Sequence, residues 1–245
     1  MKYFELLKQA KESTQETANH MNNQIVLIIF RKIGFYVAPI FLFLNISANK
    51  ISLSGLFLGI LSSIYLYQGE IYLGVILFII ILILDNADGT VARVKGEATY
   101  FGRFLDGYIG IVVDFIIRLG LSGLIARKEG ISFLFYLGIL STILCPLQYF
   151  IYDRYSTFVR WINEEGLDIK IKPYLVPETP RLINFVIDLR QISLMFLPLV
   201  YYFNYSMFFV VFIFFLLTVI EAIHGIIKHF QAANTHFRVN ATHHR

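Results

Sequence analysis

The residues of this chain that could do chemistry are concentrated in one stretch, DNADGTVARVKGEATYFGRFLDGYIGIVVD, which runs from Asp85 to Asp114 between long apolar runs. Asp85 and Asp88 are three apart, so on a helix they share a face, one turn apart. Carboxylates set beside hydrocarbon are costly and mark a functional site by default. Paired carboxylate oxygens suit hard divalent cations such as Mg²⁺, Mn²⁺ or Ca²⁺. Gly89 and Ala92 leave the space beside those carboxylates open, and Arg93 adds a forked, permanently charged donor set suited to phosphate. Gly102 and Asp106 bring a third carboxylate from the next helix. Carboxylates, small residues and an arginine in this order describe a metal-bound diphosphate site at a membrane surface.

The elements that must position these groups are membrane helices. Of 245 residues, 57% are hydrophobic and 16% charged, against roughly 25% charged in soluble domains. Several apolar runs approach 20 residues, the length of a span. The expected fold is all-α and integral to the membrane, with six transmembrane helices over residues 52–67, 71–92, 103–126, 131–152, 191–203 and 206–227. Residues 24–44 read as an N-terminal interfacial amphipathic segment. Arg31 and Lys32 divide its apolar runs and can snorkel to the headgroups, and Pro39 interrupts the second run. A true span there is the alternative. The chain thus divides into a tail and interfacial segment over 1–51, a membrane domain over 52–227 and a second tail over 228–245. Gly55, Gly59 and Ser63 form a small-xxx-small face, read as helix packing rather than chemistry.

Charge distribution orients this layout. Eighteen of the 21 Lys and Arg fall before helix one, between helices two and three, between helices four and five, or after helix six. Arg127 and Lys128 alone fall on the other side, and Arg118 lies within helix three. The positive-inside rule then places both termini and the acid cluster in the cytoplasm. The longest polar stretch, 153–190, carries Trp161, six basic residues and three prolines, and reads as a surface loop. Its cations serve either anionic headgroups and substrate phosphate or simply inside-loop charge. The lone Cys145 excludes an intramolecular disulfide, and the polar first 20 residues do not read as a signal peptide. His243 and His244 lack spaced partners and read as tail rather than metal site. No Walker loop, dinucleotide fingerprint, nucleic-acid module or internal repeat is visible.

The spacing Asp85-x2-Asp88-Gly89-x2-Ala92-Arg93-x8-Gly102-x3-Asp106 resembles the signature of the CDP-alcohol phosphotransferase (CDP-alcohol phosphatidyltransferase) family. The segment ISANKIS before helix one is similar to that family's PN-x-[IVL]-[TS] pattern, with Ala48 in place of proline. The resemblance implies a homodimer of six-helix protomers that moves a phosphate-linked alcohol from a CDP-alcohol to a hydroxyl acceptor and releases CMP. It implies that Asp85, Asp88 and Asp106 ligate Mg²⁺ or Mn²⁺. Gly89, Ala92 and Gly102 would admit the cytidine and its phosphate, and Arg93 would orient the nucleotide end. CDP-diacylglycerol is the donor it suggests, and the acceptor alcohol stays open.

The pattern departs at one place. The family's fourth Asp, a metal ligand and the presumed base, falls at position 110, which is Gly110 here. The next acid on that face is Asp114, about 6 Å further along the helix. Asp114 either serves as a displaced base or pairs with Arg118 at i,i+4 within the membrane. Glu97, Tyr100 and Tyr108 are other nearby candidates. Lys95, Arg103 and the basic loop are candidates to meet a phosphorylated acceptor. Two competing functions follow, a non-catalytic CDP-lipid-binding relative, motivated by Gly110, and a small transporter whose acids bind cations. Against the transporter, the acids lie near one membrane face and no paired helix break accompanies them.

Overall fold

A computed structural model describes residues 2–18, 25–164, 181–203 and 207–241, and all of its regular structure is helical. The helices are α1 (Lys2–Ala18), α2 (Ile25–Phe43), α3 (Ala48–Gln68), α4 (Ile71–Lys95), α5 (Tyr100–Glu129), α6 (Phe133–Glu164), α7 (Arg181–Tyr202) and α8 (Met207–Ala241). Seven of them, α2 to α8, are long and apolar enough to cross a membrane. The protein is an all-α, multi-pass integral membrane protein.

Helices α3 to α8 close a ring. α3 packs against α4 and α5, α5 against α6, α6 against α8, α8 against α7, and α7 back against α4. Because α3 is wedged between α4 and α5, the acid-bearing faces of those two helices are held apart and look into the ring. The six expected spans are these six helices. α1 and α2 lie outside the ring, packed on each other and on α4, with α2 also touching α7.

Small residues set the close contacts. A Cβ at Gly120 of α5 would stand 2.5 Å from the backbone oxygen of Ser63 on α3, and one at Gly59 would stand 2.8 Å from Val113. Ser63 Oγ donates to the Ile116 carbonyl at 2.6 Å. The expected packing face on α3 therefore joins α5 through Gly59 and Ser63. Gly55 differs: nothing lies within 4 Å of its would-be Cβ, and it faces the interior cavity.

Several boundaries depart from the sequence reading. Helix five was expected over 191–203 but starts ten residues earlier, at Arg181. Its first half carries Arg181, Asp188 and Arg190, which a hydropathy reading assigns to the loop, yet Asp188 and Arg190 are buried among neighbouring helices. At the other side of that stretch α6 runs on to Glu164, so Arg154 and Arg160 are helical too. Only 165–180 of the expected loop lies outside the described residues, together with His243 and His244. The segment over 24–44 is one helix that continues through Pro39, and length and composition alone admit it as a span.

The neighbours of α2 place it more closely. Tyr72 of α4 meets Tyr201 of α7 edge to face at 5.8 Å, which registers these antiparallel helices at one end of the ring. Asp188 on α7 and Asp85 on α4 each lie thirteen residues from that contact, at a common depth. The N-terminus of α2 is fixed there, with Ile25 N–H and Val26 N–H donating to the Asp188 carboxylate at 2.8 and 3.1 Å. Gly34 packs on Asn86, and just past α2 Lys95 Nζ donates to Asn45 Oδ1 and the Ile46 carbonyl. Every one of these anchors falls in the half of the ring that carries the acids.

Candidate functional site

The loop between α4 and α5 sets the site. α4 ends on Gly96 in the left-handed region, at φ 67°, where its N–H bonds to the Arg93 carbonyl and Glu97 N–H bonds to that of Ala92. Three residues later Thr99 caps α5, its hydroxyl accepting from Gly102 N–H at 3.0 Å. This tight turn brings the last turns of α4 and the first turns of α5 into one neighbourhood, so acids 18 residues apart in sequence, Asp88 and Asp106, line the same space.

Two cavities meet at those acids. A central cavity of about 200 Å³ lies inside the ring and takes at least one lining residue from each of its helices: Ser52, Asp85, Asp106, Tyr149, Arg190 and Phe214. A lateral cavity of about 300 Å³ is lined by Gly89, Ala92, Arg93, Gly102 and Arg103, with Asn49 from α3. Ser52, Asp88 and Asp106 line both. The structure thus brings together all seven matched positions of the signature, Asp85 on the central side and the glycines, Ala92 and Arg93 on the lateral side.

Local contacts hold these groups. Ser52 Oγ donates to Asp88 Oδ2 at 2.5 Å, which ties α3 to α4 at the junction of the cavities. Arg93 Nη2 donates to Thr90 Oγ1 at 3.3 Å, along its own helix. The missing side chain of Gly89 leaves the Arg93 guanidinium beside bare backbone, since a Cβ there would stand 3.3 Å from Nη1. Gly102 lets Asn49 Oδ1 approach α5 in the same way.

Among the described residues, none of Asp85, Asp88 and Asp106 forms an ion pair with a Lys or Arg. Asp85 and Asp106 face one another inside the ring. Three acids lining cavities among apolar helices without a cationic partner call for one, and an all-oxygen donor set fits Mg²⁺ or Mn²⁺. No three acidic, His or Cys side chains among the described residues are already drawn into a finished cage, so a bound ion would have to gather these three.

Asp114 is held differently. It lines the central cavity, but Arg118 Nη1 approaches its Oδ1 at 3.4 Å and Arg190 Nη1 its Oδ2 at 4.0 Å. Arg190 in turn meets Glu221 of α8 at 3.1 Å. Cys145 Sγ donates to Asp114 Oδ2 at 3.9 Å. Gly110 lies between Asp106 and Asp114 on the cavity wall, with open space where a side chain would stand.

Other candidates fall elsewhere. Tyr100 is 91% exposed, and Tyr108 stacks on Phe104 on the outer face of α5, so neither reaches a cavity. Lys95 is spent on the α2–α3 junction. Glu97 and Arg103 do line the lateral cavity. Sequence reasoning missed the roles of Asn49, Ser52, Tyr149, Arg190 and Glu221. Asn49 and Ser52 lay in the ISANKIS segment and were within reach. The others depend on contacts between α5, α6, α7 and α8 that no local spacing encodes.

The sequence profile of the CDP-alcohol phosphatidyltransferase domain matches residues 45–172, just over half of the chain. A 98-residue stretch is 35% identical to archaetidylinositol phosphate synthase of Pyrococcus horikoshii, covering 39% of this chain and 50% of that one. Another of 65 residues is 40% identical to an uncharacterized protein of Aquifex aeolicus, covering 26% and 33%. The chain spans at most half the length of these curated relatives. Its fold matches the crystal structure of Mycobacterium tuberculosis phosphatidylinositol phosphate synthase with CDP-DAG bound, at TM-score 0.58 and 14% identity over 80% of this chain and 90% of that one. The manganese and citrate complex of that synthase matches at TM-score 0.54 and 17% identity, over 78% and 87%. The matched profile runs through α3, α4 and α5, the three helices that build the junction of the cavities, and by it the chain belongs to the CDP-alcohol phosphatidyltransferase family.

Proposed function

We propose that the protein is a metal-dependent transferase of phospholipid biosynthesis that moves a phosphatidyl group from CDP-diacylglycerol to an alcohol and releases CMP. The observation that carries this reading is the pair of cavities joined at Ser52, Asp88 and Asp106. One chamber for the nucleotide and one for the acceptor, meeting at carboxylates, is what such a transfer needs. The name of the mycobacterial relative's complex, with CDP-DAG bound, supports the donor.

In this reading Asp85, Asp88 and Asp106 hold Mg²⁺ or Mn²⁺, which when bound offsets charge on the diphosphate. Gly89, Ala92 and Gly102 let the nucleotide end lie against helix backbone, and Arg93 holds it by its phosphates. The acceptor oxygen forms a bond to the phosphorus bearing diacylglycerol. The bond from that phosphorus to the bridging oxygen breaks, and CMP leaves with that oxygen. The hydroxyl proton needs a base. Asp106 borders the reacting centre, and Asp114 is the further acid left in the central cavity. The site and both termini face the cytoplasm, and the active form is a homodimer in the membrane.

The two guanidinium partners of Asp114 favour a second reading, in which the chain binds the CDP-lipid without transferring it. Mn²⁺-dependent CMP release from CDP-diacylglycerol and a pool of alcohols separates the two. Release by the natural chain, lost in Asp85→Asn, supports the transferase. Release only by Gly110→Asp supports the binding protein.

A further inference from the structure

The inner end of the central cavity has polar atoms that its own ion pairs do not satisfy. Arg118 is 1% exposed and sits over the Phe214 ring at 5.5 Å. Its Nη1 is committed to Asp114, but its Nε has no hydrogen-bond partner. Arg190 Nε and Glu221 Oε2 lie 3.1 Å apart, yet neither is in hydrogen-bond geometry with anything. An ion network whose sole task was to tie α5, α7 and α8 together would not leave buried donors and an acceptor unmet. Arg118, Arg190, Tyr149 and Gln191 all line the cavity. A group entering beside them meets the Tyr149 hydroxyl, the Gln191 amide and two guanidiniums whose carboxylate partners are already in place, a lining of donors and acceptors that suits hydroxyls.

The charges restrict what that group can be. Two guanidiniums are balanced by two carboxylates, Asp114 and Glu221. The three acids at the other end of the cavity outweigh the charge of one bound divalent ion, so that end supplies no surplus positive charge either. An incoming phosphomonoester would find no surplus cation here and would face like charge, which discriminates strongly against it. Gly110 leaves open the path from the acids to this end.

We propose that the Arg118–Arg190–Tyr149 end of the central cavity binds the acceptor, and that the acceptor is a hydroxyl-rich alcohol carrying no net charge rather than a phosphorylated one. This rests on the transferase reading. Glu221 acts through Arg190 and is a positioning residue that sets the charge of the chamber.

The test uses purified full-length protein with Mn²⁺ and CDP-diacylglycerol, offered matched pairs: myo-inositol and its 1-phosphate, glycerol and its 3-phosphate. CMP release is measured, and Mn²⁺-dependent binding of CDP-diacylglycerol is measured separately. The expected result is a kcat/KM for the unphosphorylated member of one pair at least about tenfold above its phosphate. Glu221→Gln, which keeps the shape and removes one negative charge, should move that ratio toward the phosphate. Tyr149→Phe should raise KM for the neutral alcohol with kcat retained. Preference for the phosphate, or a ratio unmoved by Glu221→Gln, overturns the proposal. So does CDP-diacylglycerol binding without any acceptor-stimulated CMP release, which leaves the donor site standing. Absence of that binding as well brings down the transferase reading with it.

Discussion

Asp85 and Asp114 carry the same side chain into the same ring of helices, and their surroundings give them different work. Asp85 faces Asp106 with no cationic side chain paired to either, so an external cation is what can balance them. Asp114 has two guanidiniums on its two oxygens. Asp85→Asn should therefore abolish metal-dependent nucleotide binding, at least about 100-fold in Kd, with little loss of stability. Titration of Mn²⁺ with CDP-diacylglycerol, beside a thermal melt, reads both. Asp114→Asn should act in the opposite sense. It leaves Arg118 and Arg190 short of a counterion, a change that costs about 3 kcal/mol when a buried pair is broken, and the melt should fall more than the binding. Gly110→Asp is the complementary change. The open space at that position accommodates the carboxylate without displacing a neighbour, so the variant should fold and bind metal at least as tightly as the parent.

The helices that carry these residues were legible where hydropathy and function coincide. α4 and α5 are long apolar runs with acids at one end, and both the runs and the acids stand out in sequence. α7 was legible only in its second half. Its first half is polar because Asp188 and Arg190 serve partners far away in the chain, an amide pair on α2 and Glu221 on α8, and a window of neighbours sees only their charge. Asp188 caps α2 across more than 160 residues, accepting from Ile25 N–H and Val26 N–H. Asp188→Ala should free both amides and loosen α2 from α7, at about 1–2 kcal/mol for the lost cap. The expected outcome is a lower melting temperature and, because α2 packs on Asn86 between Asp85 and Asp88, weaker CDP-diacylglycerol binding. Gly120→Ala tests the ring itself. The added methyl meets the Ser63 carbonyl, which is backbone and cannot rotate away, so α3 and α5 must part at a cost of about 1–3 kcal/mol.

For the whole protein the open question is whether α2 crosses the membrane. Length and hydropathy admit it as a span, and sequence alone offered Arg31, Lys32 and Pro39 against that reading. The structure adds a stronger physical argument. α1 is a polar helix with Lys8 and Glu12 paired and exposed, and it lies on α2, with Tyr3 Oη donating to the Tyr36 carbonyl and Lys11 over the Tyr36 ring. Such a helix cannot be sunk in hydrocarbon without stripping water from its charges. This argues for the middle of α2 at headgroup depth, with Ile25, Ile29, Tyr36, Ile40 and Phe43 as the exposed apolar stripe that lipid would cover. An α2 that spanned would also carry Lys2, Lys8 and Lys11 to the side of Arg127 and Lys128, opposite most of the basic residues. Single cysteines test this in a Cys145→Ala background, since Cys145 is the chain's one cysteine. In sealed vesicles, Lys8→Cys and Glu97→Cys should react with an impermeant maleimide from the same side, and Lys128→Cys from the other. Should Lys8→Cys label together with Lys128→Cys, α2 spans, and the docking of α1 on it must be abandoned as the arrangement in the membrane.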